Sequence, residues 1–316
     1  MMHNILGYHH ISMLTKDIKE NHYFYHDVLG LRRVNITVNQ DKPSMYHVFY
    51  GDRLGHPGTE LSFFEMPLAG RTHRGTNAIT KIGLLVSSEE SLLYWKARFE
   101  EYDVEHGTIT KYMNKRALSF EDSEGLRMVL LVSGEDRLEN WEPWDESDVP
   151  VAHQIQGMGS VEMTVRKPEK LAKTLQELLG YQEVLRTTEA VAFQSTQGQV
   201  CGEIVVKHLE GATEKPGRGS IHHLAIRVQN EEALQYWEER VRERGLSSSG
   251  IIDRFYFKSL YFRESNGILF EIATDGPGFT VNRKPEDLGE RLELPPFLEK
   301  RRAEIERRLK PIEENE

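Results

Sequence analysis

Two pairs of adjacent histidines carry the most direct chemical signal in the chain. His9-His10 lies in "GYHHISMLT" (7–15) and His222-His223 in "GSIHHLAIRV" (219–228), and each pair opens a run that reads as a β-strand. Imidazole titrates near neutrality, binds first-row metals through nitrogen and exchanges protons. A third group joins them. Glu271, in "GILFEIATDG", sits between Phe270 and Ile272, where a charge is costly unless it is paired or coordinated. One imidazole from each pair and one carboxylate make a facial triad, which leaves positions for substrate and dioxygen on Fe(II). Neighbours on a strand point to opposite faces, so only one histidine of each pair points directly into a given cavity. The other sits behind it or faces a neighbouring strand.

These residues lie far apart in sequence, and an internal repeat suggests what brings them together. Residues 8–34 align with 158–184, both reading as strand, amphipathic helix, a Leu-Gly turn and a second strand. Residues 78–104 align with 220–246 through a shared Glu-Glu-x-Leu-x-Tyr-Trp, and 118–132 continues onto 260–274. The chain therefore contains four modules of strand, helix and about three strands, the first resembling the third and the second the fourth. His10 aligns with Ser160, His223 with Lys81, and Glu271 with Val129, so the potential ligands are confined to modules 1 and 4. These two modules must share one cupped sheet, with modules 2 and 3 forming a sister sheet.

The expected organisation is a first module pair over 1–135, a polar connector over 136–156, a second pair over 157–276, and a C-terminal arm and helix over 277–316. "FLEKRRAEIERRLK" (297–310) reads as one charged helix behind Pro295 and Pro296. Charge and composition narrow the partners. A net charge of −10 argues against a nucleic-acid surface. No apolar run approaches the roughly 20 residues that span a bilayer, and the N-terminus lacks the pattern of a secretory signal. Cys201 is the only cysteine, which rules out an intrachain disulfide and fits a cytoplasmic location. A small molecule is the expected partner, with a homo-oligomer also open.

The segments "YHHIS", "GHPGTELSFFEMP", "IHHLAI", "DRFYFKSLYFRESNG" and "FEIAT" give the chain a family likeness. It resembles the vicinal oxygen chelate superfamily, which includes glyoxalases and extradiol dioxygenases, and within it the hydroquinone ring-cleaving dioxygenases. The likeness runs from about Gly7 to Asp275, and the tail "LPPFLEKRRAEIE" also looks typical. It implies an α+β fold of four βαβββ modules in two paired, cupped mixed sheets, followed by an arm and helix. It implies Fe(II), with Mn(II) or another divalent metal as alternatives, held by His10, His223 and Glu271. It implies supporting roles for His9, Ser12, His222, Arg254 and Tyr261. Ser12 stands where a related enzyme has Thr, which keeps the hydroxyl. The activity implied is cleavage of a hydroquinone-type or catechol-type ring by dioxygen, in the degradation or detoxification of aromatics.

Expected roles follow from this likeness. His9 or His222 would accept the phenol proton, Tyr261 would donate a hydrogen bond, Arg254 would hold developing negative charge, and Phe64, Phe255 and Phe257 would line the substrate cavity. Glu60, in "GTELSFFEM", stands near the place where glyoxalase I has a fourth metal ligand. Two readings of it are open: a fourth ligand, or a residue that points to solvent or pairs with a base. A ligand there would favour a glyoxalase-like isomerase or lyase. A third alternative is a non-catalytic protein that binds aromatics and confers resistance.

Overall fold

The computed structural model describes residues 3–133, 140–195 and 202–312. Part of the connector and Cys201 lie outside the described residues. Module 1 contains β1 (Tyr8–Thr15), α1 (Ile18–His22) continued by a π-helical turn (Tyr23–Val28), β2 (Arg32–Asn39), β3 (Lys42–Gly51) and β4 (Glu60–Glu65). Module 2 contains β5 (Ala78–Val86), α2 (Glu89–Glu101), β6 (His106–Tyr112), β7 (Lys115–Glu121) and β8 (Arg127–Val132). Module 3 contains β9 (Met158–Val165), α3 (Pro168–Lys173) with a second π-helical turn (Thr174–Leu178), β10 (Tyr181–Arg186), β11 (Ala190–Ser195) and β12 (Glu203–His208). Module 4 contains β13 (Ile221–Val228), α4 (Glu231–Glu243), β14 (Ile252–Asp253), β15 (Lys258–Arg263) and β16 (Leu269–Thr274). Among the described residues, no helix is long and apolar enough to cross a membrane.

The four modules make two mixed sheets. One has the order β14-β15-β16-β13-β1-β4-β3-β2 and the other β10-β11-β12-β9-β5-β8-β7-β6. Modules 1 and 4 meet along the antiparallel pair β1–β13, and modules 2 and 3 along β5–β9. The sheets form because their strands alternate two kinds of side chain. Ile11, Met13, Val48, Tyr50, Leu61 and Phe63 enter one continuous core that also takes residues from the second sheet and the helices. His10, Ser12, Phe49 and Ser62 occupy the alternate positions. Residues of β1, β2, β3, β4, β13, β15 and β16 line a single cavity, so this face is concave. Local signals fix the helix starts: Asp17, Ser88 and Asn230 cap α1, α2 and α4 by accepting hydrogen bonds from first-turn amides.

The C-terminal arm packs on its own chain. Leu292 bridges to Ile36 on β2, which is an edge strand, and the Tyr46 hydroxyl donates to the carbonyl of Lys310 at 2.9 Å. The expected single helix over 297–310 is instead two short ones, α5 (Pro296–Glu299) and α6 (Arg302–Glu306). The Arg301 amide bonds the Leu298 carbonyl at 2.8 Å, a tight turn that breaks the helix between the buried anchors Leu298 and Ile305. The arm also braces the concave face, because Phe279 and Leu288 join Phe49, Tyr256 and Phe257 in a small apolar cluster beneath it.

Gly289 is where the arm lies closest to the sheet. It has φ +76°, and a Cβ there would fall 1.7 Å from the Arg33 carbonyl oxygen. Gly289→Ala therefore adds a backbone clash to left-handed strain, and is expected to destabilise the protein by roughly 2 kcal/mol or more. Thermal unfolding would show this as a lowered Tm relative to the parent chain.

Candidate metal centre

The two histidine pairs face each other across β1–β13, and each interrupts the ladder. Tyr8 pairs with Ile226 and His10 with Ala225, so His9 is an extra residue on β1. Ser12 pairs with His223 and Met13 with Ile221, so His222 is an extra residue on β13. These opposed β-bulges suspend the strict alternation of side chains. The expectation that neighbouring histidines turn to opposite faces is corrected for that reason. Within each pair the rings meet instead: His9 Nδ1 lies 3.0 Å from His10 Nδ1, and His222 Nδ1 lies 2.8 Å from His223 Nδ1.

This contact sets the proton positions in the first pair. His9 Nε2 lies 3.1 Å from the carbonyl oxygen of Thr274, which can only accept, so Nε2 carries the hydrogen. Burial, reinforced by the charge of His10, lowers the His9 pKa to about 3, which keeps the ring neutral. Its Nδ1 is then an acceptor and takes the Nδ1 hydrogen of His10. His10 Nε2 is left with a free lone pair, the arrangement found behind metal-ligating histidines. Burial also lowers the pKa of His223, although Glu271 partly opposes the shift.

Glu271 completes the cluster from β16, where it pairs with Ala225 on β13 and Tyr261 on β15. Its Oε1 accepts a short hydrogen bond from Ser259 Oγ. Its Oε2 lies 2.8 Å from His223 Nε2 and 3.2 Å from His10 Nε2, which are themselves 3.3 Å apart. Burial alone would raise the Glu271 pKa, but His10 and His223 hold it well below the usual carboxylate range. Oε2 is fully buried and has no well-aligned hydrogen bond. Ligand atoms about 2.1 Å from one ion and at right angles to each other stand about 3 Å apart. The three atoms therefore fit a divalent cation in spacing and in donor type.

The remaining expected residues are distributed around this cluster. Tyr261 and Arg254 line the same cavity as His10 and His223. The Tyr261 ring stands edge-on to His223 at 5.7 Å, and burial and the Glu271 charge raise its pKa, so it remains a donor. The Arg254 guanidinium lies over the Tyr261 ring at 5.7 Å and donates to Asp41 at 3.0 Å. His222 is exposed on the cavity wall. Ser12 is turned from the triad toward Ser62, 2.6 Å away, and Ser62 in turn meets His47 Nε2 at 3.1 Å.

Phe64 and Phe257 line the cavity, but Phe255 does not. It has left-handed backbone (φ 71°) and packs its ring on Tyr256 instead. Glu60 does not point to solvent: it is 2 % exposed, its one basic neighbour among the described residues is His9 Nδ1 at 3.8 Å, and its Oε2 is without a hydrogen bond. It groups with His9 and His10, behind the triad, and not with His223 and Glu271. Burial first, and then the nearby charges of Asp52 and Glu271, raise its pKa well above the usual range.

His47 is absent from the expectations, although "MYHVFYG" places it on the same face as Phe49 by simple alternation. In the sister sheet Ser160, Lys81 and Val129 stand at the triad positions, and a buried carboxylate, Glu162, lies beside Lys81. Glu162 accepts from the Tyr112 hydroxyl at 3.0 Å and lies 3.0 Å from Lys207 and 3.8 Å from Lys81.

Comparison with known proteins agrees with this geometry. A family model described as the Glyoxalase/Bleomycin resistance protein/Dioxygenase superfamily matches residues 7–130 and 157–272. The Bacillus subtilis (strain 168) protein named "Putative ring-cleaving dioxygenase MhqA" is 46% identical over 313 residues, covering 97% of this chain and 99% of that one. The "Chlorohydroquinone/hydroquinone 1,2-dioxygenase" of Sphingobium indicum is 27% identical over 306 residues, covering 93% and 92%. The crystal structure of a "putative dioxygenase" from Bacillus subtilis superposes with a TM-score of 0.91 at 31% identity, over 99% of both chains.

Two outcomes are expected at the centre. His9→Leu removes the acceptor that orients His10 and should weaken divalent-metal binding about 10- to 100-fold, read by chelator competition. Acidification should also release metal. Neutral His223 is the ligand form and its pKa is lowered, so affinity should hold through neutral pH and fall only below about 6.5. A calorimetric titration at several pH values would show that onset.

Proposed function

This chain belongs to the Glyoxalase/Bleomycin resistance protein/Dioxygenase superfamily, and from that premise we propose that it is a metal-dependent dioxygenase that opens hydroquinone-type aromatic rings. The observation that carries this reading is the cluster of His10, His223 and Glu271, with ligand atoms 2.8–3.3 Å apart, at a wall of a cavity of about 460 Å³. Two imidazoles and one carboxylate leave half of an octahedron open, the pattern of non-haem Fe(II) oxygenases. Fe(II) is the metal of this reading, with Mn(II) the alternative. When bound, it would supply Lewis acidity and a site for dioxygen beside the substrate. The name of MhqA gives ring cleavage, and that of the Sphingobium indicum relative gives a hydroquinone as substrate, which supports the same reading here.

The chain's own residues then have definable roles. Phe49, Phe64, Phe257 and Tyr256 give the cavity aromatic walls that fit a flat ring and exclude water. His222 is exposed on that wall, and its Nδ1 takes the Nδ1 hydrogen that a metal-binding His223 must carry, so its Nε2 hydrogen donates to a ring oxygen near the triad and the expected role of proton acceptor is not open to it. The Tyr261 hydroxyl, held protonated, donates to an oxygen at the triad. Arg254 keeps its charge through Asp41 and Tyr261, and balances negative charge developing on the ring. Glu271 is kept ionised by the two imidazoles and oriented by Ser259. The glyoxalase-like alternative has less support, because Glu60 groups with His9 and His10 and not with His223 and Glu271.

The test is oxygen uptake by anaerobically purified protein reconstituted with Fe(II) and given methylhydroquinone. Stoichiometric oxygen consumption with loss of the aromatic absorbance is the expected outcome. His223→Ala should lose both the metal and the activity. Turnover of a thiol hemithioacetal with Zn(II) or Ni(II), and no oxygen uptake, would instead establish an isomerase.

A further inference from the structure

A diol substrate places one oxygen at the triad and must bury the other. Inside an apolar cavity the second hydroxyl is costly unless a fixed partner meets it. Most polar groups on the wall are already engaged. Arg254 is bound to Asp41, the Gln40 amide donates to the Arg254 carbonyl at 2.8 Å, and Asn39 Oδ1 accepts from the Asp41 and Lys42 amides. Tyr261 and His222 stand beside His223 and belong to the triad end of the cavity.

His47 differs in position and in support. It pairs with Phe64 across β3–β4, and β3 lies two strands from β1. The register sets His47 level with Leu14, four residues along β1 from His10, so their backbones lie roughly 16 Å apart at ordinary strand spacing and rise. Both side chains line the one cavity, so the space between them is space a ring can fill. The ring of His47 is packed against Phe64 at 4.0 Å and Phe49 at 4.2 Å, and Nε2 is pinned to Ser62 Oγ at 3.1 Å. Ser62 is fixed in turn by Ser12 at 2.6 Å. His47 lines the cavity, and its Nδ1 has no hydrogen-bond partner among the described residues. The hydroxyls of Ser62 and Ser12 can rotate, so Nδ1 can present either a lone pair or a hydrogen without moving the ring.

We propose that His47 is the specificity residue that hydrogen-bonds the ring oxygen remote from the triad, and that it makes the cavity prefer para-diols over phenols and catechols. Ser12 then acts as a positioning residue, holding His47 through Ser62. This proposal rests on the reading of the cavity as a hydroquinone site, and its test does not depend on turnover. The Zn(II)-loaded protein is titrated calorimetrically, without oxygen, with methylhydroquinone, 4-methylcatechol and m-cresol, the last lacking the second hydroxyl.

The parent protein should bind methylhydroquinone about 10- to 100-fold more tightly than m-cresol. His47→Phe should abolish that preference while leaving Zn(II) content and m-cresol affinity unchanged. His47→Gln, which keeps a hydrogen-bonding end, should restore part of it. A parent protein with no such preference, or a His47→Phe variant that keeps it, overturns the proposal. If His47→Phe does not fold, the Ser62→Ala variant decides, with a reduced preference supporting the proposal and an unchanged one overturning it. Oxygen uptake by the Fe(II) form is scored separately, so a failure of the dioxygenase reading is distinguishable from a failure of the His47 assignment.

Discussion

The antiparallel seam between β1 and β13 is the constraint on which the rest of the site depends. It joins the first module to the last and brings the ring nitrogens of His10 and His223 within 3.3 Å of each other. Its register is anchored by the buried alternation on the opposite face, where Ile11, Met13, Leu224 and Ile226 enter the main core. A slip of one residue would turn those side chains into the cavity and the histidines into the core. The hydrophobic core, more than any contact between the histidines themselves, therefore fixes the metal-binding geometry. The two bulges add local freedom without loosening the register, because one lies on each strand and together they cancel. Between them the pairing returns to strict alternation over three residue pairs, His10–Ala225, Ile11–Leu224 and Ser12–His223.

The same seam shows how the fold sustains a buried carboxylate. Glu271 is fully buried, and isolated burial of a charge there would be prohibitive. One oxygen is satisfied by Ser259, and the other is left to face two imidazoles. The sister sheet meets the same requirement by a different route. One of its buried carboxylates is Glu162, and two lysines and a tyrosine surround it. Opposing charges and hydrogen bonds close that cluster internally, and burial is outweighed by Lys81 and Lys207 in holding Glu162 ionised. At the triad no lysine or arginine contacts Glu271 among the described residues, so a cation from outside the chain is the natural complement. One duplicated architecture has thus produced a self-neutralised face and a face that awaits an ion.

Much of this was legible in the sequence, for a physical reason. Repeats preserve module topology, so the four-part pattern predicted which modules share a sheet. A glutamate between Phe270 and Ile272, with Val129 at the equivalent position, marked a cost that the chain accepts in one module and not in its sister. What stayed hidden depends on backbone geometry. Bulges carry no signature in "YHHIS" or "IHHLAI", so alternation missed that His222 lines the cavity beside His223, whereas His9 does sit behind His10. The left-handed backbone at Phe255 redirected an aromatic side chain that spacing alone had assigned to the cavity. Glu60 was ambiguous because its state depends on burial and on charges apart from it in sequence, chiefly Asp52 and Glu271. His47 had no repeat partner to draw attention to it.

The supporting layer explains why so many polar groups surround so small a site. His9 is useful behind His10 only while it remains neutral with its hydrogen on Nε2, and that state requires both the Thr274 carbonyl and a dry environment. Phe257 contributes the dryness, with its ring 4.8 Å from His9 and 5.2 Å from His10. Phe257 is held in turn in the cluster with Phe279, which comes from the C-terminal arm. Among the described residues the arm has no hydrogen bond or ion pair with His10, His223 or Glu271, yet it supports the aromatic layer around His9. Its packing against Phe257 and the neutral state of His9 are therefore linked through the aromatic cluster, with no direct bond between them.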